Sequence, residues 1–325
     1  MSTTPSQLWL FRLLMSLRRS SKAGFTLLEL LISIIIVGII ISGLLYLVVE
    51  MLQLDRREFV LNQVSTDMNR AMDYIASDVE EAIYVYSTPT DIISQLSSDI
   101  DTSTETPILA FWRPEVLDQD ELNTIEDCDL PKCRILKKRQ AFLTLVVYLQ
   151  ESNEDSPIWN GETRIVRYEL PNYTSITSSL DKVTPGYADP TLDETLAEES
   201  DIFKAWKADG NTEGTKQVLV DSVDVLAPDD IDDDEAECPS SVYERSPTAP
   251  SDGKSFYVCV RQGTIANQDL NFDQRVDTSN QDLIVFLRGN ATARQDGLVN
   301  ALSDESRLPT LESRVLLRGV RDEVL

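Results

Sequence analysis

From Leu30 to Val49 the chain carries no charged residue, and a run of about 20 apolar residues is what an α-helix needs to cross a bilayer core. Beyond Asp55 the hydrophobic positions thin into a stripe. Leu61, Val64, Met68, Ala71, Met72, Ile75, Val79, Ala82, Ile83 and Tyr86 recur at steps of three and four, with Asp67, Arg70, Asp73, Ser77 and Glu80 between them. No proline lies between Pro5 and Pro89, so the two stretches read as one helix from Phe25 to about Thr88. Its first half faces lipid, and the stripe of its second half predicts a seam that docks on the rest of the chain.

From Pro107 onward the pattern shortens into runs rich in branched and aromatic residues, at 108–112, 141–149, 164–170, 217–226, 255–261, 283–288 and 314–317. Between them, 118–129, 171–190 and 227–254 are acidic or rich in Ser, Thr and Pro and read as loops, with a short helix expected near 191–207. A long helix followed by strands predicts an α+β fold: an N-terminal hydrophobic then amphipathic helix packed on a mostly antiparallel β-sheet head with large acidic loops. The expected divisions are a leader at 1–24, a membrane-spanning half-helix at 25–54, an amphipathic half at 55–88 and a globular head at 89–325. A head of that size accommodates one core with large loops or two small lobes.

Charge sharpens the picture at both ends. The formal net charge is -26, which argues against nucleic acid as a direct partner. The leader, by contrast, holds Arg12, Arg18, Arg19 and Lys22 and no acid, so the positive-inside tendency places the N-terminus in the cytoplasm and the head across the membrane. Its apolar pieces, interrupted by Arg12, are too short to span. Ala23 and Gly24 precede the apolar run instead of following it, so a cut there would leave the anchor attached.

Four cysteines, Cys128, Cys133, Cys238 and Cys259, suit disulfides in an exported head; adjacent pairing is the simplest of the three connectivities. Zinc is the rival, but neither pair has C-x2-C spacing and the chain has no histidine. That absence also removes the commonest general base. Asp230, Asp232 and Asp234 imitate the first half of a calcium loop, although Glu235 stands where the turn glycine belongs and Ser241 where the bidentate acid belongs. A solvated acidic loop is the simpler reading, with Ca2+ as the alternative.

The run Lys22-Ala23-Gly24-Phe25-Thr26-Leu27-Leu28-Glu29-Leu30-Leu31 resembles the class III signal and N-terminal helix of type IV pilins and type II secretion pseudopilins. The stretch Met68 to Ala82 is similar to the helix of larger minor pseudopilins, the J-type and PilW-like subunits. The head, through Phe111-Trp112-Arg113, Val147-Tyr148-Leu149 and Arg164 to Leu170, resembles HpsC-like pseudopilins linked to hormogonium polysaccharide secretion in cyanobacteria. The resemblance implies a pilin-like fold and cleavage after Gly24 by a prepilin peptidase, with methylation of the new N-terminal Phe25. It further implies insertion through an inner-membrane assembly platform into a short periplasmic pseudopilus with other major and minor pseudopilins.

A carboxylate in a bilayer costs about 2.5–3.5 kcal/mol on insertion scales, so Glu29 needs headgroup solvation or a partner. The resemblance supplies one for the assembled state, the α-ammonium of a neighbouring Phe25. The expected function is therefore that of a minor pseudopilin serving secretion, with exported polysaccharide or the secretion channel as further partners, and no catalytic residues. Three rivals stand beside it: an uncleaved single-pass receptor or binding protein, a minor pilin of a type IV pilus, and an acid-pair glycosidase.

Overall fold

A computed structural model describes residues 25–125, 128, 130–154, 156–192, 199–225, 237–248, 255–261, 282–291 and 308–317. The chain forms two compact units, Met1–Glu58 and Phe59–Leu325. Helix α1 (Leu27–Glu80) begins in the first and supplies the second with its central element.

In the second unit, α1 buries Val64, Met68, Ala71, Met72, Ile75 and Val79, the stripe the periodicity predicts. The helix ends at Glu80, short of the expected Thr88. Ile83-Tyr84-Val85-Tyr86 is a β-forming run, and strand β1 (Tyr84–Val85) pairs antiparallel with β2 (Glu105–Val116), Tyr84 opposite Trp112. Ile83 and Tyr86 consequently leave the stripe and join a different core.

Two antiparallel sheets follow. The first has the order β1-β2-β3-β4-β5, with β3 (Ala141–Ser152), β4 (Thr163–Pro171) and β5 (Thr215–Val223); the second has β6 (Tyr243–Ser246), β7 (Phe256–Arg261), β8 (Asp282–Leu287) and β9 (Leu311–Leu316). The long helix with mostly antiparallel sheet is the α+β layout expected for a pilin-like fold. One hydrophobic core joins the α1 stripe to Phe111, Val146, Tyr148 and Ile165 of the first sheet and to Phe256, Val258, Leu283 and Val285 of the second. The sheets meet at a seam where Val223 bridges Gly289, Asn290 N donates to Ser222 O at 2.8 Å, and the buried Arg288–Asp224 pair closes at 3.0 Å. Gly289 sits against the helix: a Cβ there would lie 2.7 Å from Met68 Cγ, so the close approach requires glycine.

The first sheet is buried on its other face as well. Trp112, Leu145, Val147, Tyr168 and Leu170 pack under α2 (Thr90–Ile93) with the turn that follows it, under Tyr187 from the stretch read as a loop at 171–190, and under α5 (Glu199–Lys204), which carries Phe203 and lies within the short helix expected near 191–207. Trp112 Nε1 donates to Tyr86 Oη, which donates to Phe203 O at 2.7 Å. Two further helices form between β2 and β3: α3 (Gln119–Thr124), inside the stretch read as a loop at 118–129, and α4 (Pro131–Arg139), where the sequence pattern assigns no element. Strand β6 likewise forms inside the stretch read as a loop at 227–254.

Charge is buried at the helix–sheet contact. Asp78, on the buried side of α1, accepts from Tyr148 Oη and Arg167 Nε, both at 2.7 Å, and lies 3.2 Å from Arg113. Arg167 and Arg113 also pair with Glu169, and Arg113 with Glu81. Burial and then the adjacent Asp78 carboxylate push the Tyr148 phenol well above its ordinary range, so it remains a donor at any physiological pH. On the second sheet the buried Asp282 accepts from Tyr243, Arg314 and Arg261. Burial alone would raise its carboxyl, but those hydrogen bonds outweigh it and hold the group below the usual range.

Replacing Asp78 by Ala removes the buried carboxylate that Arg167 and Arg113 share, leaves them only Glu169 and Glu81, and should destabilise the second unit by about 3–5 kcal/mol, the range for breaking a buried pair. Denaturant unfolding of the full chain in detergent micelles, followed by tryptophan fluorescence, measures this; an unchanged midpoint would mean that solvent already screens the pair. Asp282 gives an acid limb. Its contribution is complete above the unfolded carboxyl value of about 3.9 and is lost as pH falls through the lower folded value. Melting temperature should therefore fall less steeply with acid in Asp282→Asn than in the parent, and parallel curves would remove the assignment.

Candidate functional site

In the first unit the chain enters α1 through Phe25 and Thr26. Phe25 is 78% exposed and precedes the helix. Thr26 caps it: the backbone N of Glu29 donates to Thr26 O at 3.0 Å and faces Thr26 Oγ1 at 3.3 Å, and Leu30 N donates to Thr26 O. Glu29 thus occupies the first turn, where a carboxylate meets the positive end of the helix dipole. The Thr-x-x-Glu spacing is the sequence signature of such a cap. Read for its acid alone, the stretch does not single out Thr26.

Beyond the first turn the helix offers no other charge until Glu50. The two serines of its uncharged stretch are satisfied internally, Ser33 Oγ donating to Glu29 O and Ser42 Oγ to Gly38 O, each at 2.8 Å. That arrangement suits an environment without water, where every polar group must find a partner within the segment. The side chains from Leu27 to Leu54 are exposed on all sides, and this is a helix long and apolar enough to cross a membrane. An exposed apolar surface of this extent requires lipid or other helices against it.

The other candidate residues lie elsewhere. Gly24 falls outside the described residues, as do Asp230, Asp232 and Asp234. Among the described residues no group of three or more acids, cysteines or histidines is placed to hold a metal ion. The cysteines form two disulfides, Cys128–Cys133 and Cys238–Cys259. The first sits at the entry to α4 in a small core with Ile125, Leu136 and Phe142; the second ties the segment before β6 to β7.

The family model for the prokaryotic N-terminal methylation motif matches residues 19–45, which contain Gly24, Phe25 and Glu29. No curated protein and no solved structure matches the chain. The methylation motif, set directly against a capped and uncharged membrane-length helix that leads into an α+β head, supports a protein of the type IV pilin or pseudopilin type.

Proposed function

We propose that the chain is a non-enzymatic minor pseudopilin, cleaved after Gly24 by a prepilin peptidase, methylated on Phe25 and drawn through α1 into a short periplasmic pseudopilus. The observation that carries this reading is the methylation motif placed against an apolar helix whose first turn holds Glu29. Cleavage would create an α-ammonium one helical turn from that carboxylate. Within an assembled fibre the ammonium of one subunit and Glu29 of its neighbour neutralise each other, which removes the cost of two unpaired charges and fixes axial register. The basic leader favours a cytoplasmic N-terminus, and the two disulfides favour an oxidising compartment for the head. Export of a polysaccharide linked to gliding motility is the proposed setting, supported by the resemblance of the head segments to HpsC-like pseudopilins. Calcium at Asp230, Asp232 and Asp234 belongs to the same proposal as an optional ligand of the acidic loop.

Mass spectrometry of the protein extracted from membranes should find an N-terminus at methylated Phe25. Gly24→Leu should retain the leader; an intact leader on the parent chain would instead favour a single-pass receptor. For Glu29→Ala, the membrane-bound amount should match the parent while recovery in sheared pseudopilus fractions drops at least about ten-fold, equivalent to ~1.4 kcal/mol per subunit. Equal recovery would overturn the charge-pairing step.

A further inference from the structure

The head carries a concentration of positive charge that its composition does not lead one to expect. Five of the nine residues of α4 are basic in a chain of net charge -26. Lys137, Lys138 and Arg139 have a local explanation, since cations in a last turn oppose the negative end of the helix dipole. Lys132 has the opposite placement, in the first turn, where the dipole disfavours a cation. It reaches across to donate to Leu180 O, which leaves further ammonium hydrogens to use.

Lys132, Ile135, Leu136 and Arg139 fall at steps of three, four and seven, so they share one face of α4. That face forms one wall of an open groove of about 910 Å3, floored by Phe142 and Leu143 of β3 and closed opposite by the 172–191 segment. Ile135 and Val183 expose over two-fifths of their surface in it. Among the described residues the single carboxylate lining the groove is Asp189, 3.8 Å from Arg139, whose Nη1 also donates to Thr191 Oγ1 at 2.7 Å. Asp181, which follows Leu180 in the chain, does not line the groove and accepts from Thr177 Oγ1 at 2.6 Å, while Asp118 and Glu121 are engaged in the capping box of α3. An apolar trough is therefore bracketed by two cations about 10 Å apart along the helix axis, at 1.5 Å per residue.

We propose that this groove docks an acidic polypeptide segment of a partner protein, with a bulky apolar side chain seated between Lys132 and Arg139 and acids on either side of it meeting the two cations. Charge complementarity identifies the occupant, and the volume lies within the range of ligand-sized clefts. Of the four aromatic residues lining the groove, Phe142, Tyr187 and Phe203 are buried and the half-buried Tyr173 packs edge-on with Phe142 at 5.8 Å, which leaves limited open face for stacking on sugars and favours a peptide over an anionic polysaccharide. The proposal does not depend on processing after Gly24.

The test uses the full chain in detergent micelles and a fluorescein-labelled peptide containing Glu-Glu-Leu-Phe-Glu-Glu, read by anisotropy. Binding should saturate, weaken as salt is added, and fall at least about ten-fold in Lys132→Glu/Arg139→Glu, with less than about two-fold change in Arg70→Glu/Lys207→Glu of equal net charge. Arg139→Gln, milder for folding, should lose part of the affinity at an unchanged melting temperature. Equal binding by the two double variants, or by a peptide with Gln in place of every Glu, overturns the proposal. So does a flat peptide titration alongside saturable binding of polygalacturonate, which would make the groove a polysaccharide site.

Discussion

The face of α1 from Val64 to Val79 is the surface on which everything beyond the first unit closes. Among the described residues neither sheet has another element against its inner face, and both place branched and aromatic residues against the same stripe. Apolar contact of this kind is strong but indifferent to register, since a helix can shift by a turn and still present a stripe. Asp78 removes that freedom. Its carboxylate takes Tyr148 and Arg167 from adjacent strands and lies beside Arg113 from a third, so rotation or translation of the helix would strand buried charge. Burying such a group adds little net stability and much definition.

The seam between the sheets works through the same helix. Gly289 lets the backbone approach Met68, and Val223, Ser222 and Asp224 then knit the end of β5 to the end of β8. The second sheet is held by its position along α1 as much as by its pairing with the first. Its own outward face is pinned by Asp282 and by the Cys238–Cys259 bridge.

The elements legible in the sequence are those with a sustained period. The α1 stripe and the seven strand-like runs are long enough for periodicity to speak, and Gly24, Phe25 and Glu29 stand out because their order against an apolar run is specific. The end of α1 is not legible: no glycine or proline marks Glu80, and the switch at Ile83 depends on pairing with Trp112, a distant residue. The apolar character of 142–149, broken only at Thr144, does hold a signal for burial on both faces, which the segments over the first sheet then supply. Helix α4 hides behind its own charge, with Pro131 at its start and the closing cations as its only markers. The partners of Asp78 could not be read at all, because Tyr148 and Arg167 meet it only after the strands have paired.

The inward turn of Ser33 and Ser42 has a consequence for how α1 can be recognised. With both hydroxyls occupied by the helix's own carbonyls, the surface from Leu30 to Leu45, short of the exposed Tyr46, differs from place to place in shape but hardly in polarity. Another apolar helix lying against it would meet nearly the same solvent quality at each offset. It is a scale with no graduations, and Glu29, at its capped end, is the zero from which a position along it can be counted.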